Sequence, residues 1–170
     1  LSYNYPGEEN NNKLGYVTDA FSTASYNNDI ESQSSNNYDY DANGNLIKDA
    51  AEGITSIAWN MRGKMQSLTK STGTTNFTYD ALGRRASKET ATDKTYYVTD
   101  ATGNIMSIYN NKDGKFTWQA SPIYGSGRIG VYNANKVLPL AASDSVYLIR
   151  GKREYELTDH LGNVLTTVSD

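Results

Sequence analysis

The side chains best suited to chemistry in this chain of 170 residues are its carboxylates, one histidine and two tryptophans. The histidine, His160, has no partners at the spacing of a Ser-His-Asp triad or a histidine metal site, so we interpret it as a turn residue whose ring packs on a neighbouring strand. The pairs Asp39/Asp41 and Glu154/Glu156 lie two residues apart, which places both carboxylates on one face of a strand. Paired carboxylates can hydrolyse glycosides, but solvated strand faces carry the same pattern. The sequence therefore predicts no catalytic residue.

One stretch matches the first half of a calcium-binding loop. Asp39, Asp41 and Asn43 offer oxygen atoms at alternate positions. Gly44 stands at the sixth position, where such loops need a glycine, but the glutamate expected at the twelfth position falls on Ala50. A repeated turn pattern produces the same residues, so both a calcium site and a plain turn are open interpretations here.

Aromatic residues offer a second kind of site. Trp59 and Trp118, together with 14 tyrosines, could form a platform on which a sugar stacks. The same rings could instead form ladders across neighbouring strands, as aromatic residues commonly do in sheets. The two tryptophans are therefore candidate sugar-stacking residues with a structural alternative.

A four-residue pattern recurs along the chain: Asp or Asn, two variable residues, then Gly. Its first four glycines lie 19, 20 and 20 residues apart. Asp or Asn at the first position accepts hydrogen bonds from nearby backbone amides, and Gly at the fourth adopts a positive φ without steric cost. Each copy therefore predicts a hairpin turn. The first and fourth residues of the six copies are Asp41 and Gly44, Asn60 and Gly63, Asp80 and Gly83, Asp100 and Gly103, Asn111 and Gly114, and Asp159 and Gly162.

A second, looser turn between successive copies leaves strands of about six residues. No helical period is sustained, so the sequence predicts an all-β fold of tandem antiparallel hairpins in one fragment over residues 1–170. Its expected parts are a degenerate hairpin (1–20), a polar exposed loop (21–37), tandem hairpin repeats (38–120), an irregular insertion rich in glycine and proline (121–144), and a closing repeat (145–170) that resumes with a strand over 146–149.

Composition excludes several classes of protein. The net charge of −3 comes without a cluster of Lys or Arg, which argues against nucleic-acid binding. No apolar run approaches the roughly 20 residues that a membrane-spanning helix needs. The absence of cysteine excludes thiol catalysis, cysteine-ligated zinc and disulfides. The missing initiator Met and the end of the chain on a strand pattern lead us to expect a piece of a longer polypeptide.

Several stretches resemble one family. Residues 40–46 (YDANGNL) and 79–85 (YDALGRR) look like the tyrosine–aspartate repeats of RHS/YD-repeat proteins. Residues 151–164 (GKREYELTDHLGNV) resemble the RHS repeat-associated core motif, and residues 123–130 (IYGSGRIG) are similar to the segment that often precedes it. These matches extend over most of the chain.

The resemblance implies a curved or spiralling ribbon of hairpins that forms part of a hollow β-shell, often around a C-terminal toxin domain. Vertebrate relatives of the repeat act in cell-surface adhesion. The self-cleaving aspartate region of the family would follow Asp170, so no protease residue is carried over.

We therefore expect a non-enzymatic scaffold or shell segment of a secreted or surface protein, without a cofactor apart from the calcium considered above. Its expected partners are the rest of the parent chain, a C-terminal toxin cargo and copies of itself, with no nucleic acid. The alternatives are a fibre-forming or adhesive protein that assembles through open sheet edges, and a carbohydrate-binding module.

Overall fold

A computed structural model describes residues 1–5, 7, 12–20, 30–139 and 149–170. Within these residues there are fourteen strands and no helix, so the all-β prediction is confirmed. The strands are β1 (Ser2–Asn4), β2 (Tyr16–Thr18), β3 (Tyr38–Tyr40), β4 (Leu46–Asp49), β5 (Ile54–Trp59), β6 (Met65–Lys70), β7 (Gly73–Tyr79), β8 (Arg85–Glu89), β9 (Asp93–Thr99), β10 (Ile105–Lys112), β11 (Lys115–Tyr124), β12 (Arg128–Val137), β13 (Arg153–Thr158) and β14 (Val164–Ser169).

The strands follow a simple meander. β1 pairs with β2, and β3 to β14 form a twelve-stranded antiparallel sheet in which each strand lies beside its neighbours in sequence. This order confirms the prediction of tandem hairpins. The contacts of the chain divide into two compact units, Leu1–Asn76 and Phe77–Asp170, whereas the sequence indicated no such division. In the described part of the chain, no helix is suited to crossing a membrane.

Side-chain hydrogen bonds hold together the beginning of the first unit. Val17 on β2 is 2% exposed, and its backbone exchanges hydrogen bonds of 2.9 Å with the side chain and the backbone of Gln33. The side-chain amide of Gln33 also donates to the Tyr38 hydroxyl, and the Tyr40 hydroxyl donates to the carbonyl of Leu14. These bonds join β1–β2 to the segment that leads into β3.

The polar stretch 21–37 differs from the exposed loop predicted for it. Residues 21–29 lie outside the described residues, and most of residues 30–37 are exposed. Asn37, however, is 0% exposed, so the prediction is wrong at the end of the stretch. The physical reason is that its amide satisfies backbone and side-chain groups of the next hairpin, which a buried polar side chain must do.

The predicted irregular insertion over 121–144 is wrong for most of its described residues. β11 and β12 are ten residues long and continue through Tyr124 and from Arg128. The ladder between β10 and β11 ends at Ala120, so Pro122, which pairs with β12 alone, does not interrupt a ladder with β10. Residues 140–148, which include most of the predicted strand over 146–149, lie outside the described residues, and Ile149 is not in a strand.

Glycine in this region also permits close packing of strands. A Cβ atom added to Gly130 would lie 2.4 Å from the carbonyl oxygen of Glu154 and 3.1 Å from the Cα of Tyr155. Only a residue without a side chain allows β12 and β13 to approach this closely. The glycine that suggested a loop in the sequence is therefore required by the sheet.

Candidate functional site

The Asp/Asn-x-x-Gly turns share one backbone geometry. In the first of them, the Asp41 amide donates to the carbonyl of Asn45 at 2.9 Å and the Gly44 amide donates to the carbonyl of Asp41 at 3.1 Å. The same two bonds close the turns that begin at Asn60, Asp80, Asp100 and Asp159. The fourth residue has a positive φ in each: Gly44 (84°), Gly63 (67°), Gly83 (80°), Gly103 (102°) and Gly162 (86°).

The side chain of the first residue in each turn accepts further hydrogen bonds that close the turn. Oδ1 of Asp41 accepts hydrogen bonds from the amides of Asn43 at 2.9 Å and Asn45 at 2.8 Å. The corresponding bonds are present in the other four turns. Every donor comes from within five residues, so each turn is stabilised by its own sequence.

A fifth position also contributes, and sequence reasoning missed its role. The side-chain amide of Asn45 donates to Oδ2 of Asp41 at 2.9 Å. Asn104 and Asn163 make the same bond to Asp100 and Asp159, at 3.0 and 2.9 Å. The signal was the asparagine that directly follows the glycine in three copies of the pattern.

These bonds stabilise the charged form of the turn carboxylates. The Asn104 side chain, and after it the Thr102 hydroxyl, hold the pKa of Asp100 well below its ordinary value of 3.8. Hydrogen bonds from the Asn45 and Asn163 side chains are the main causes that lower the pKa of Asp41 and Asp159. Carboxylates that accept several hydrogen bonds stay ionised to low pH, so these three side chains act as hydrogen-bond acceptors that close their turns.

The turn predicted at Asn111 is wrong. Asn111 lies within β10 opposite Phe116, and Lys112 pairs with Lys115. The reversal is a two-residue turn with a positive φ at both Asp113 (51°) and Gly114 (76°). Asp-Gly is a preferred pair for such tight hairpin turns, and this local preference overrides the longer pattern.

Basic side chains join two of the turns to other segments. The Arg84 guanidinium donates to the carbonyls of Asp100 and Ala101, both at 2.8 Å, and so joins its own turn to the next one. Lys13 donates in a similar way to the carbonyl of Asp41 at 3.2 Å. Neighbouring turns in the second unit are therefore coupled through one side chain.

The two tryptophans serve separate units of the chain. The Trp59 indole N–H donates to the carbonyl of Leu46 at 2.8 Å. The Trp118 indole N–H donates to Oγ of Ser121 at 3.1 Å, and its ring centroid lies 5.7 Å from that of Tyr132. Both rings are half-buried. The Trp59 bond and the contact between Trp118 and Tyr132 join neighbouring strands, whereas the bond to Ser121 lies within β11. Sugar stacking on these rings stays a prediction.

The carboxylates singled out in the sequence have different hydrogen-bond and ion-pair partners. Asp39 accepts a hydrogen bond from the Tyr40 amide, and both oxygens of Asp41 accept bonds within the turn. Glu156 binds the Arg128 guanidinium through both oxygens, at 3.0 and 2.6 Å, while Glu154 is exposed. Calcium binding at Asp39, Asp41 and Asn43 stays a prediction. Across the described ranges, no three His, Cys, Asp or Glu residues form a metal-binding group.

His160 does not have the packed ring expected for it. It stands at the second position of the turn that begins at Asp159, and it is exposed. The structure therefore places the histidine at an exposed turn tip.

An aromatic cluster occupies one face of the second unit. The rings of Tyr109 and Phe116 are stacked with centroids 5.6 Å apart, and Tyr96 meets Phe116 edge-on at 5.8 Å. A surface depression of about 500 Å³ lies beside this cluster. It is bounded by the loop between β8 and β9 and by the turn at Asp113 and Gly114, and Tyr96 forms part of its lining.

No protein-family model and no curated protein matches this chain. The likeness to RHS/YD-repeat proteins therefore depends on the residues quoted for it above. The turns show how those residues act: the Asp, Gly and Asn of residues 40–46 all take part in closing one hairpin.

Proposed function

We propose that this chain is a non-enzymatic structural segment, a shell or scaffold, of a secreted or surface RHS/YD-repeat protein. The observation that supports it is the series of self-closed turns along a sheet in sequential order. Because these turns are closed by their own residues, such an array can be lengthened by adding hairpins. A scaffold of this kind needs no catalytic group.

The distribution of apolar side chains supports the same proposal. Only Val17, Ile57, Tyr132 and Ala134 are buried apolar residues in the described part of the chain. Large apolar side chains are exposed instead, among them Leu165 at 71% and Leu157 at 53%. With so few apolar side chains buried, many of those that remain exposed are available for contact with other protein. The proposed covering partners are the rest of the parent chain and a C-terminal toxin cargo.

The experiment is to measure the native species by intact-protein mass spectrometry together with sizing in solution. The proposal expects a protein much longer than 170 residues that is monomeric and resists proteases. A native chain that ends near Asp170 and forms a large regular assembly would contradict the shell. Limited proteolysis of the purified native protein adds a second readout, because a closed shell should yield this segment uncut.

One observation favours a second candidate, a fibre that assembles through open sheet edges. All six residues of β14, the last strand of the sheet, are exposed, and none is charged or a proline. Charges and prolines are the usual protection of an edge strand against pairing with other chains. Leu165→Lys should then abolish fibres seen by electron microscopy, with Thr55→Lys on an exposed position of β5 as the matched control.

A further inference from the structure

The depression beside the aromatic cluster has the size of a small-ligand site. Its volume of about 500 Å³ lies within the range of about 300–1,000 Å³ found for ligand pockets. Residues 90–92 form one wall, and the Asp113–Gly114 turn forms another. Both walls are short, hydrogen-bonded reversals: the Thr90 amide donates to the carbonyl of Asp93 at 2.8 Å.

Two polar side chains in the lining are available to a ligand. The Asn111 amide and the Asp113 carboxylate make no side-chain hydrogen bond or ion pair with any residue that the structure describes. Asp113 stands on the tight turn, so its position is set by the backbone and not by a side-chain partner. Together they offer donors and acceptors close to one another, because the turn lies only two residues beyond Asn111.

Tyr96 is the aromatic residue in the lining of the depression, and its ring makes a T-shaped contact with the ring of Phe116. Tyr96 is half-buried and Phe116 is 37% exposed, so part of this apolar surface faces solvent. Lys94 lies with Nζ 5.5 Å from the centroid of the Tyr96 ring and 2.9 Å from Oε2 of Glu89. The ring surface thus adjoins a fixed pair of opposite charges.

The charges of the lining narrow the class of ligand. The carboxylates of Glu89, Asp93 and Asp113 outnumber the single ammonium group of Lys94, which disfavours an anion. The Lys94 ammonium already places a positive charge 5.5 Å from the centroid of the Tyr96 ring, which disfavours a cationic ligand there. Most of the remaining lining groups are polar, which disfavours a purely apolar molecule. A neutral molecule with several hydroxyl groups and one apolar face satisfies all three conditions.

We propose that this depression binds one residue of a neutral saccharide, with its C–H face on Tyr96 and its hydroxyl groups on Asn111, Asp113 and the Lys94–Glu89 pair. This site is separate from Trp59 and Trp118, the residues that the sequence indicated for sugar stacking. It goes beyond the proposed scaffold function, which requires no ligand, so that failure of either proposal leaves the other unaffected.

The test is a titration of the isotope-labelled protein with N-acetylglucosamine, galactose and glucose, each followed by amide NMR shifts. With at least one sugar, we expect saturable shifts confined to residues 90–96 and 111–114. The double variant Asn111→Ala/Asp113→Asn should weaken that binding about tenfold. Asn tolerates a positive φ, so the turn is retained in this variant.

Trp118→Phe is the matched control, since it alters an aromatic residue of the same unit outside the lining. It should bind as tightly as the parent protein. The proposal is overturned if none of the three sugars shifts these amides, if the shifts cluster around Trp118, or if the double variant binds as well as the parent. Tyr96→Leu gives an independent check, because it removes the ring and should weaken binding while leaving the Asn111 and Asp113 groups in place.

Discussion

The β3–β4 and β13–β14 hairpins have the same turn, but they differ at the base, the open end of the hairpin opposite the turn. The turns at residues 41–45 and 159–163 share Asp, Gly and Asn at the first, fourth and fifth positions. Their bonds match closely: the Asn side chain donates to the Asp carboxylate at 2.9 Å in both, and the Gly amide donates to the Asp carbonyl at 3.1 Å in both. Any difference between these hairpins therefore arises elsewhere.

The bases are closed by different chemistry. In the first hairpin the buried amide of Asn37 donates to Oδ1 of Asp49 at 3.0 Å and accepts from the Ala51 backbone at 2.6 Å. In the last hairpin the Asp170 carboxylate accepts from the Gly151 backbone at 2.7 Å and from the Arg153 guanidinium at 2.5 Å. The first depends on a neutral, fully buried amide and the other on a partly buried ion pair. The difference teaches that a repeated turn sequence does not determine how firmly each hairpin is held.

The largest effect is expected from Asn37→Ala. This change leaves the Ala51 amide and the Asp49 carboxylate without their buried partner, so the free energy of unfolding should fall by about 3 kcal/mol. Urea denaturation measures the loss. Asn36→Ala alters the exposed neighbour and should cost little. Equal losses for the two variants would show that burial of Asn37 does not stabilise the first hairpin.

Gly130→Ala should separate the last hairpin from β12. The added Cβ meets backbone atoms of β13, and the resulting overpacking should cost about 2 kcal/mol. Hydrogen exchange should become faster around Tyr132 and Arg153, which pair across these strands, while the turn at residues 159–163 stays protected. Gly127→Ala is the control, because its Cβ would meet nothing within 4 Å. Loss of protection in the turn as well would show that this hairpin depends on β12.

Asp170→Asn should produce a smaller loss that depends on pH. Burial alone would raise the pKa of Asp170, but hydrogen bonds from the Arg153 backbone and guanidinium and from the Gly151 amide lower it overall. A lowered pKa means that the ionised form stabilises the fold above the ordinary value of 3.8, and that this contribution disappears as the pH falls through the lower value of the folded state.

The melting temperatures of the parent and the Asp170→Asn variant should therefore differ by a constant amount from about pH 7 to about pH 5 and converge in more acidic solution. High salt should also reduce the difference, since both side chains keep part of their surface in solvent. The loss caused by Asn37→Ala should stay constant between about pH 7 and about pH 5, because an amide does not titrate. If the loss in Asp170→Asn is independent of both pH and salt, the base of the last hairpin is not held by charge.

The sequence was sufficient to predict the structure wherever the interactions that form it span only a few residues. The turns at Asp41, Asp100 and Asp159 are closed within five residues, so their pattern and spacing predicted the meander. The tight turn at Asp113 shows the limit of this reasoning, because two overlapping turn signals compete there and the shorter one prevails.

The features that the sequence did not predict depend on distant strands. Asn37 looks like part of a polar loop until Asp49 and Ala51 enclose its side chain. Gly130 looks like a loop residue until the backbone of β13 approaches it. The depression beside Tyr96 forms only when the loop before β9 and the turn after β10 lie at the same end of the sheet. No local pattern carries such information, because each feature is created by the pairing of strands.

The smallest effect is expected from removing one side-chain bond in each of the turns at residues 41–45 and 159–163, which tests whether that bond stabilises both turns equally. Asn45→Ala and Asn163→Ala each remove one side-chain bond of 2.9 Å from the same place in the turn. Because the other bonds within the two turns are the same, each variant should lower the melting temperature by about 2 °C, and the two losses should be equal.

The two losses in melting temperature are expected to be equal for a physical reason. The donor, the acceptor and the loop length are the same in both turns, so only the surroundings can make the losses differ. Lys13 donates to the carbonyl of Asp41 and could reinforce the first turn, which the double variant Lys13→Ala/Asn45→Ala would reveal. A loss at Asn45 well above that at Asn163, which disappears in the Lys13→Ala background, would mean that the first turn is held by its neighbours as well as by its own sequence.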